Sequence, residues 1–198
     1  GDHNRVAVTA ATTMLRKVGV ISPLLVYGPP GCGKTHLLRA IQFAARQKRG
    51  VVRAIYLSAD QFTTYFLEAL RGSGLPSFRR KYRDVQLLLI DNVQFFAGKR
   101  ATMVELQHTM DELSRQGRQL VLAADRPPAQ MSELGPELIA RMSGGVVCGM
   151  ESADCGTRLA ILRQLTQERE LAVPGGVLKM LAEQMSGDVR QLQGAMNR

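Results

Sequence analysis

Tryptophan is absent from the 198 residues, and aromatic side chains make up only 5% of them. A core built from this chain is therefore expected to be aliphatic and rich in methionine. Cysteine is scarce: Cys32, Cys148 and Cys155 are an odd number and form no CxxC pair. That pattern suits a reducing cytosol and argues against a disulfide scaffold or a zinc site. The three histidines, His3, His36 and His108, form no HxxxH pair, so zinc is not expected. No apolar run approaches the ~18 residues that a membrane-spanning helix needs. The first residues lack the charged and apolar regions of a secretory leader. A cytoplasmic location is expected. Acidic residues are the scarcer charge, 17 against 26 Lys and Arg, which leaves a formal net charge of +9. Such a balance favours a polyanionic partner such as nucleic acid, or gives a solvated basic surface. Charge alone leaves both open.

Apolar periodicity organises what is present. Val6, Ala7, Ala10, Ala11, Met14, Leu15 and Val18 predict a helix over 4–18, ended by Gly19. Leu24 to Tyr27 reads as a buried strand, followed by a glycine-rich loop and a helix over 34–49. A second strand is expected over 51–57. Ser58 and Gln61 have capping-box spacing and should open a helix to Leu70. A short basic helix is expected over 77–83, then an apolar third strand over 85–90. Thr102 and Glu105 have the same capping-box spacing and are expected to open a helix to Gln116. Further strands are expected at 120–124 and 146–150. Alternating strands and helices imply parallel βαβ units in a three-layer α/β domain. After Met150 only helical periodicity remains, with breaks at 174–176 and 186–187. The expected division is an α/β core over 1–150 and a small helical lid over 151–198.

Gly28-Pro29-Pro30-Gly31-Cys32-Gly33-Lys34-Thr35 fits GxxxxGK[ST] without mismatch, between a predicted strand and a predicted helix. Glycines in such a loop let backbone N–H groups approach phosphates without Cβ clashes. The next helix aims its positive end at them. Lys34 is expected to reach the β- and γ-phosphates and Thr35 to hold Mg²⁺. The run Leu87-Leu88-Leu89-Ile90-Asp91 is an apolar strand ending in a carboxylate, which in P-loop proteins completes the Mg²⁺ site. Asn92 follows it. An amide can orient water but cannot accept its proton, so binding of ATP or ADP is expected with weak hydrolysis.

These residues sit among longer blocks: GKTHLLRAI at 33–41, YLSADQF at 56–62, FRRKYRDVQLLLIDNVQFFAGK at 78–99, DRPP at 125–128, TRLAIL at 157–162 and DVRQLQGAMNR at 188–198. With these blocks the whole chain resembles the AAA+ domain of the bacterial DnaA replication-initiator family. The resemblance implies a five-stranded parallel sheet of order 5-1-4-3-2 with a helical lid. It makes Asp125 the polar sensor after the fourth strand, and Arg141 the finger that reaches a neighbouring subunit's γ-phosphate. Arg190 becomes the lid arginine that senses the γ-phosphate within its own subunit. Asn4 belongs to the adenine-side lining, and His36 extends the nucleotide-binding set beyond Thr35. The chain departs from the family pattern at Asn92, usually Asp, and at Glu137, usually arginine. Met142, Ser143 and Gly144 stand where an aromatic pair is usual.

The family engages single-stranded origin DNA through an element between its second and third strands. Here that element carries Arg79, Arg80, Lys81 and Arg83, with Lys99 and Arg100 after the third strand. Ala101 occupies a position that is often basic in the family. Phe78 and Tyr82 interleave with the cations and either stack on bases or form the buried face of the helix. The resemblance also implies ATP-driven head-to-tail assembly, with a replicative helicase or sliding-clamp regulators as further partners. The family's helix-turn-helix domain would begin after Arg198, so this stretch is not expected to read double-stranded origin boxes. The alternatives are a short regulatory paralogue and a helicase-loader-type protein.

Overall fold

The computed structural model describes residues 4–47 and 53–184. Five strands form the sheet: β1 (Leu24–Tyr27), β2 (Ala54–Ser58), β3 (Leu87–Asp91), β4 (Gln119–Ala124) and β5 (Val146–Gly149). Their order is β2-β3-β4-β1-β5, and every neighbouring pair is parallel. This is the expected order, and all five strands therefore end at one edge of the sheet.

Helices cover both faces, which is why β3 and β4 are buried at every position. Side chains alternate across a strand. Leu87 and Leu89 of β3 join α1 (Arg5–Arg16) and α2 (Lys34–Gln47) in one core with Ala7, Met14, Leu38 and Ile41. Leu88 and Ile90 join the opposite core, beneath α3 (Ala59–Arg71), α4 (Leu75–Arg83), α5 (Arg100–Arg115) and α6 (Pro136–Ser143).

The expectation of an aliphatic core holds on the α1–α2 side only. On the other face the few aromatic residues are concentrated. Phe62 meets Phe78, Tyr82 and Phe96 with ring centroids 5.2, 5.9 and 5.7 Å apart, and Phe66 meets Phe78 at 5.7 Å. Phe78 and Tyr82 are therefore core residues of α4, while Arg80 and Lys81 on the same helix are exposed.

The capping box at Ser58 and Gln61 forms, with both reciprocal hydrogen bonds of 3.0 and 3.2 Å. The one expected at Thr102 and Glu105 does not. Helix α5 begins at Arg100, and both residues lie inside it and are buried. Residues i and i+3 share a helix face wherever they stand, so the spacing alone did not locate the helix start. Glu105 turns instead to α4. It accepts from Arg79 at 2.9 Å and from Arg83 at 2.6 Å.

Beyond β5, α7 (Cys155–Glu168) and α8 (Gly175–Gln184) pack around Leu162, Leu178 and Ala182, a cluster separate from both sheet cores. Arg158 ties them by donating to the backbone oxygens of Ala182 and Ala153 at 2.8 and 2.6 Å. Among the described residues no helix is long and apolar enough to cross a membrane.

Glu105 is 3% exposed and pairs with both guanidinium groups. Removing one member of a fully buried pair costs about 3–5 kcal/mol. Arg79 and Arg83 reach water, so Glu105→Gln is expected to cost less, about 1–3 kcal/mol. Urea unfolding at neutral pH measures this.

Candidate functional site

The loop between β1 and α2 is held against the ends of two other strands. Gly28 N–H donates to the carbonyl of Ala124 on β4 at 3.3 Å. A Cβ on Gly28 would stand 2.1 Å from the carbonyl oxygen of Met150, just after β5, so only glycine fits. Gly33 has φ +100°, a conformation that side chains oppose. Pro29 and Pro30 are exposed, Cys32 is buried, and His36 lies exposed in the first turn of α2. That turn contains no acidic residue. Its free N–H groups and the positive helix end therefore face the loop without internal neutralisation.

Lys34 is only 7% exposed. Its ammonium donates to the carbonyls of Gly28 at 2.6 Å and Pro29 at 2.9 Å, with the Cys32 sulfur at 3.8 Å. The hydrogen bonds of this side chain go to neutral groups, which leaves it placed for an anion entering the loop.

Asp91 ends β3 on the same face as Leu89, the face that α2 covers. It is 1% exposed. Its Oδ2 accepts from the Thr35 hydroxyl at 2.6 Å and from the Tyr56 hydroxyl at 2.9 Å. Its Oδ1 accepts from the backbone N–H of Asn92 at 2.9 Å. Burial, and then the Asp91 charge, push the Tyr56 hydroxyl up to about 12, so it stays protonated and donates. The Arg39 guanidinium lies 3.6 Å from the centre of the Tyr56 ring. A hydroxyl beside a buried carboxylate, with no soft donor, is an oxygen set suited to Mg²⁺. The residues present thus fit that ion.

Asn92 has φ 58° and ψ 49°, the left-handed conformation, and starts the short turn Val93–Phe96. Asparagine and aspartate tolerate that region better than other side chains. The position thus has a backbone requirement besides any role toward water. Asp125 follows β4, beside the strand end that holds Gly28. Its Oδ1 is buried without a partner, as are Gln94 Oε1 and Arg126 Nε. Asn4 is fixed to the segment after β5. It accepts from the Glu151 N–H at 2.8 Å and donates to the Glu151 carbonyl at 3.2 Å. The start of α1 is thereby tied to the segment that follows Met150, the residue packed against Gly28.

Arg141 is not part of this cluster. From α6 it donates to the Asp111 carboxylate of α5 at 2.8 and 3.1 Å. Those hydrogen bonds hold the Asp111 carboxyl below the usual carboxylate range. Arg190 lies outside the described residues.

The basic stretch divides in two. Releasing Arg79 and Arg83 would leave the buried Glu105 unpaired, at about 3–5 kcal/mol, whereas an exposed ion pair is worth about 0–1 kcal/mol. These two therefore stay on Glu105. Lys99 pairs with Asp60 at 2.9 Å. Arg80, Lys81 and Arg100 are exposed, and Lys81 lies 5.2 Å from the Tyr65 ring centre.

Residues 1–149 match the family described as the bacterial DnaA ATPase domain. The chain belongs to the bacterial DnaA ATPase-domain family. The chromosomal replication initiator protein DnaA of Bifidobacterium animalis is 37% identical over 100% of this chain and 36% of its own length. Domain III of the Thermotoga maritima DnaA superposes with TM-score 0.95 at 36% identity, over 99% of this chain and 82% of that one. A DnaA bound to AMPPCP and single-stranded DNA superposes with TM-score 0.89 at 35% identity, over 100% of this chain and 61% of that one. This family member spans 36 to 46% of the length of the curated relatives it matches.

Reading along the sequence reached the phosphate loop and Asp91. It missed Tyr56 as a partner of Asp91, Arg39 as the cation on Tyr56 and Asp111 as the partner of Arg141. Tyr56 stands inside the family-like block at 56–62, but nothing in that block announces a partner 35 positions away.

Proposed function

We propose that this chain is the ATP-switch domain of a bacterial replication initiator, binding ATP or ADP with Mg²⁺ and assembling head-to-tail in the ATP state. The observation that carries the reading is the phosphate loop, with Lys34 at its centre and Thr35 hydrogen-bonded to Asp91 at 2.6 Å. Backbone N–H groups of residues 28–35 bind the phosphates, and Lys34 exchanges loop carbonyls for β- and γ-phosphate oxygens. Thr35 and Asp91 hold the metal, which when bound neutralises charge on the transferring phosphoryl group. Asp125, whose buried Oδ1 has no hydrogen-bond partner, is the polar sensor residue after β4 in this reading. Arg141 leaves Asp111 to complete a neighbour's site, and Arg190 acts from the lid at 151–198 on its own subunit's nucleotide. The exposed Arg141–Asp111 pair costs about 0–1 kcal/mol to break, so assembly overcomes it readily. A finger held by one subunit and a phosphate by the next is a heterologous contact, which builds filaments.

Single-stranded origin DNA is engaged in the cytoplasm through Arg80, Lys81 and Arg100. The relative with bound single-stranded DNA supports that partner. Asn92 keeps hydrolysis slow, because its amide cannot take the proton of the attacking water. It also favours a second reading, a regulatory paralogue that binds nucleotide without opening DNA. A replicative helicase or sliding-clamp-associated regulators are the further partners of this reading.

Lys34→Ala is expected to abolish ATP and ADP binding in calorimetry while circular dichroism stays unchanged. Unaltered nucleotide affinity would overturn the site. In single-turnover assays at saturating protein, Asn92→Asp is expected to raise hydrolysis by up to ~10²-fold with ATP affinity unchanged. Equal rates for parent and variant would show that another group orients the water. Converting both Arg80 and Lys81 to Ala should flatten the salt dependence of single-strand binding. The log–log slope is expected to fall by about 0.7 for each phosphate that the variant no longer neutralises. An unchanged slope would make the pair a solvated face.

A further inference from the structure

Asp91 carries one charge on a short side chain whose terminal torsion is broad and weakly restrained. A carboxylate that must present an oxygen to a metal therefore needs outside partners to set its plane. Thr35 is one partner, but in the reading above its oxygen is itself committed to the metal. The Asn92 N–H fixes Oδ1. The only other side chain on Oδ2 among the described residues is Tyr56, at 2.9 Å.

The position of Tyr56 is set from two sides. Strand β2 pairs with β3 in parallel register, Tyr56 opposite Leu89 and Ser58 opposite Asp91. Tyr56 thus lies two residues back along the neighbouring strand, on the face toward α2, and its ring spans that distance. From above, Arg39 stacks on the ring at 3.6 Å. Thr35 and Arg39 are four residues apart on α2 and share a helix face. One helix therefore supplies both the hydroxyl beside the carboxylate and the cation that holds the tyrosine.

We propose that Tyr56 is a positioning residue for the metal-holding carboxylate. Its hydroxyl fixes Asp91 for Mg²⁺, and Arg39 fixes Tyr56. The proposal rests on the reading of Thr35 and Asp91 as the Mg²⁺-holding pair. Partners one shell out from a metal ligand typically contribute about 10–100-fold to metal affinity.

The test is calorimetric titration of the non-hydrolysable analogue AMPPCP over a series of Mg²⁺ concentrations and in excess EDTA. Tyr56→Phe keeps the ring, and with it the Arg39 contact, and removes only the hydroxyl. The half-saturating Mg²⁺ concentration is expected to rise ~10-fold while affinity in EDTA stays within about twofold of the parent. An unshifted Mg²⁺ requirement overturns the proposal. So does a parallel loss of affinity with and without metal, which marks a packing role. Asp91→Asn separates the two readings. If it raises the Mg²⁺ requirement and Tyr56→Phe does not, only the role of Tyr56 fails. If Asp91→Asn has no effect, the metal-site reading itself fails. In the double variant the tyrosine change should add nothing, because its effect passes through Asp91. Full additivity overturns the proposal as well.

Discussion

Asp91 is a buried carboxylate whose hydrogen bonds come from three separate parts of the chain. Thr35 arrives on α2, Tyr56 on β2, and the Asn92 N–H comes from the turn that begins immediately after β3. Desolvating an unpaired carboxylate costs several kcal/mol, so this group can occupy the sheet edge only if all three parts are already in register. The constraint runs outward from there. Parallel pairing sets β2 beside β3, and β4 between β3 and β1. The β1 end then stands where the loop can hydrogen-bond to Ala124 and place Thr35 over Asp91. The phosphate loop is therefore a property of the sheet edge as much as of its own glycines. The loop fits only because Met150, Ala124 and Asp91 lie where the parallel order puts their strand ends.

The same reasoning separates the cations. Six basic residues near β3 look alike in one dimension. In three dimensions Glu105 claims Arg79 and Arg83, because a carboxylate 3% exposed cannot be left alone. Their charge is structural, joining α4 to α5 over the aromatic cluster. Arg80, Lys81 and Arg100 keep their charge for solvent or for a polyanion. The count of basic residues near β3 therefore overstates the charge that this face offers a partner.

Arg141 illustrates a different balance. It sits in an exposed pair with Asp111, which is weak in water. Under the proposed role, in which Arg141 acts on another subunit, such loose holding is an advantage: ordered enough to limit the entropy of docking, yet free to leave. Glu137, where the family usually has arginine, contributes its backbone oxygen to Arg141 at 3.2 Å. Any side chain at that position keeps the backbone oxygen, so the departure from the family pattern leaves this hydrogen bond in place.

The amino-acid order alone was enough for the sheet class, the strand-loop-helix that carries the glycine-rich motif and the acid at the end of β3. These are local signals: an eight-residue motif between a strand and a helix, and an apolar run ending in one charge. The capping box at Ser58 was legible for the same reason. The identical spacing at Thr102 and Glu105 was not, because a three-residue separation also places two side chains on one face inside a helix. Folding in three dimensions decided between those uses, through the Arg79 and Arg83 partners that lie on another helix. Tyr56, Arg39 and Asp111 were likewise invisible as site partners, since their contacts join residues brought together by strand register and helix packing. The scarcity of aromatics pointed to an aliphatic core, yet the few present gather on one face of the sheet. Composition counts residues, whereas burial depends on where the alternating faces of the strands send them.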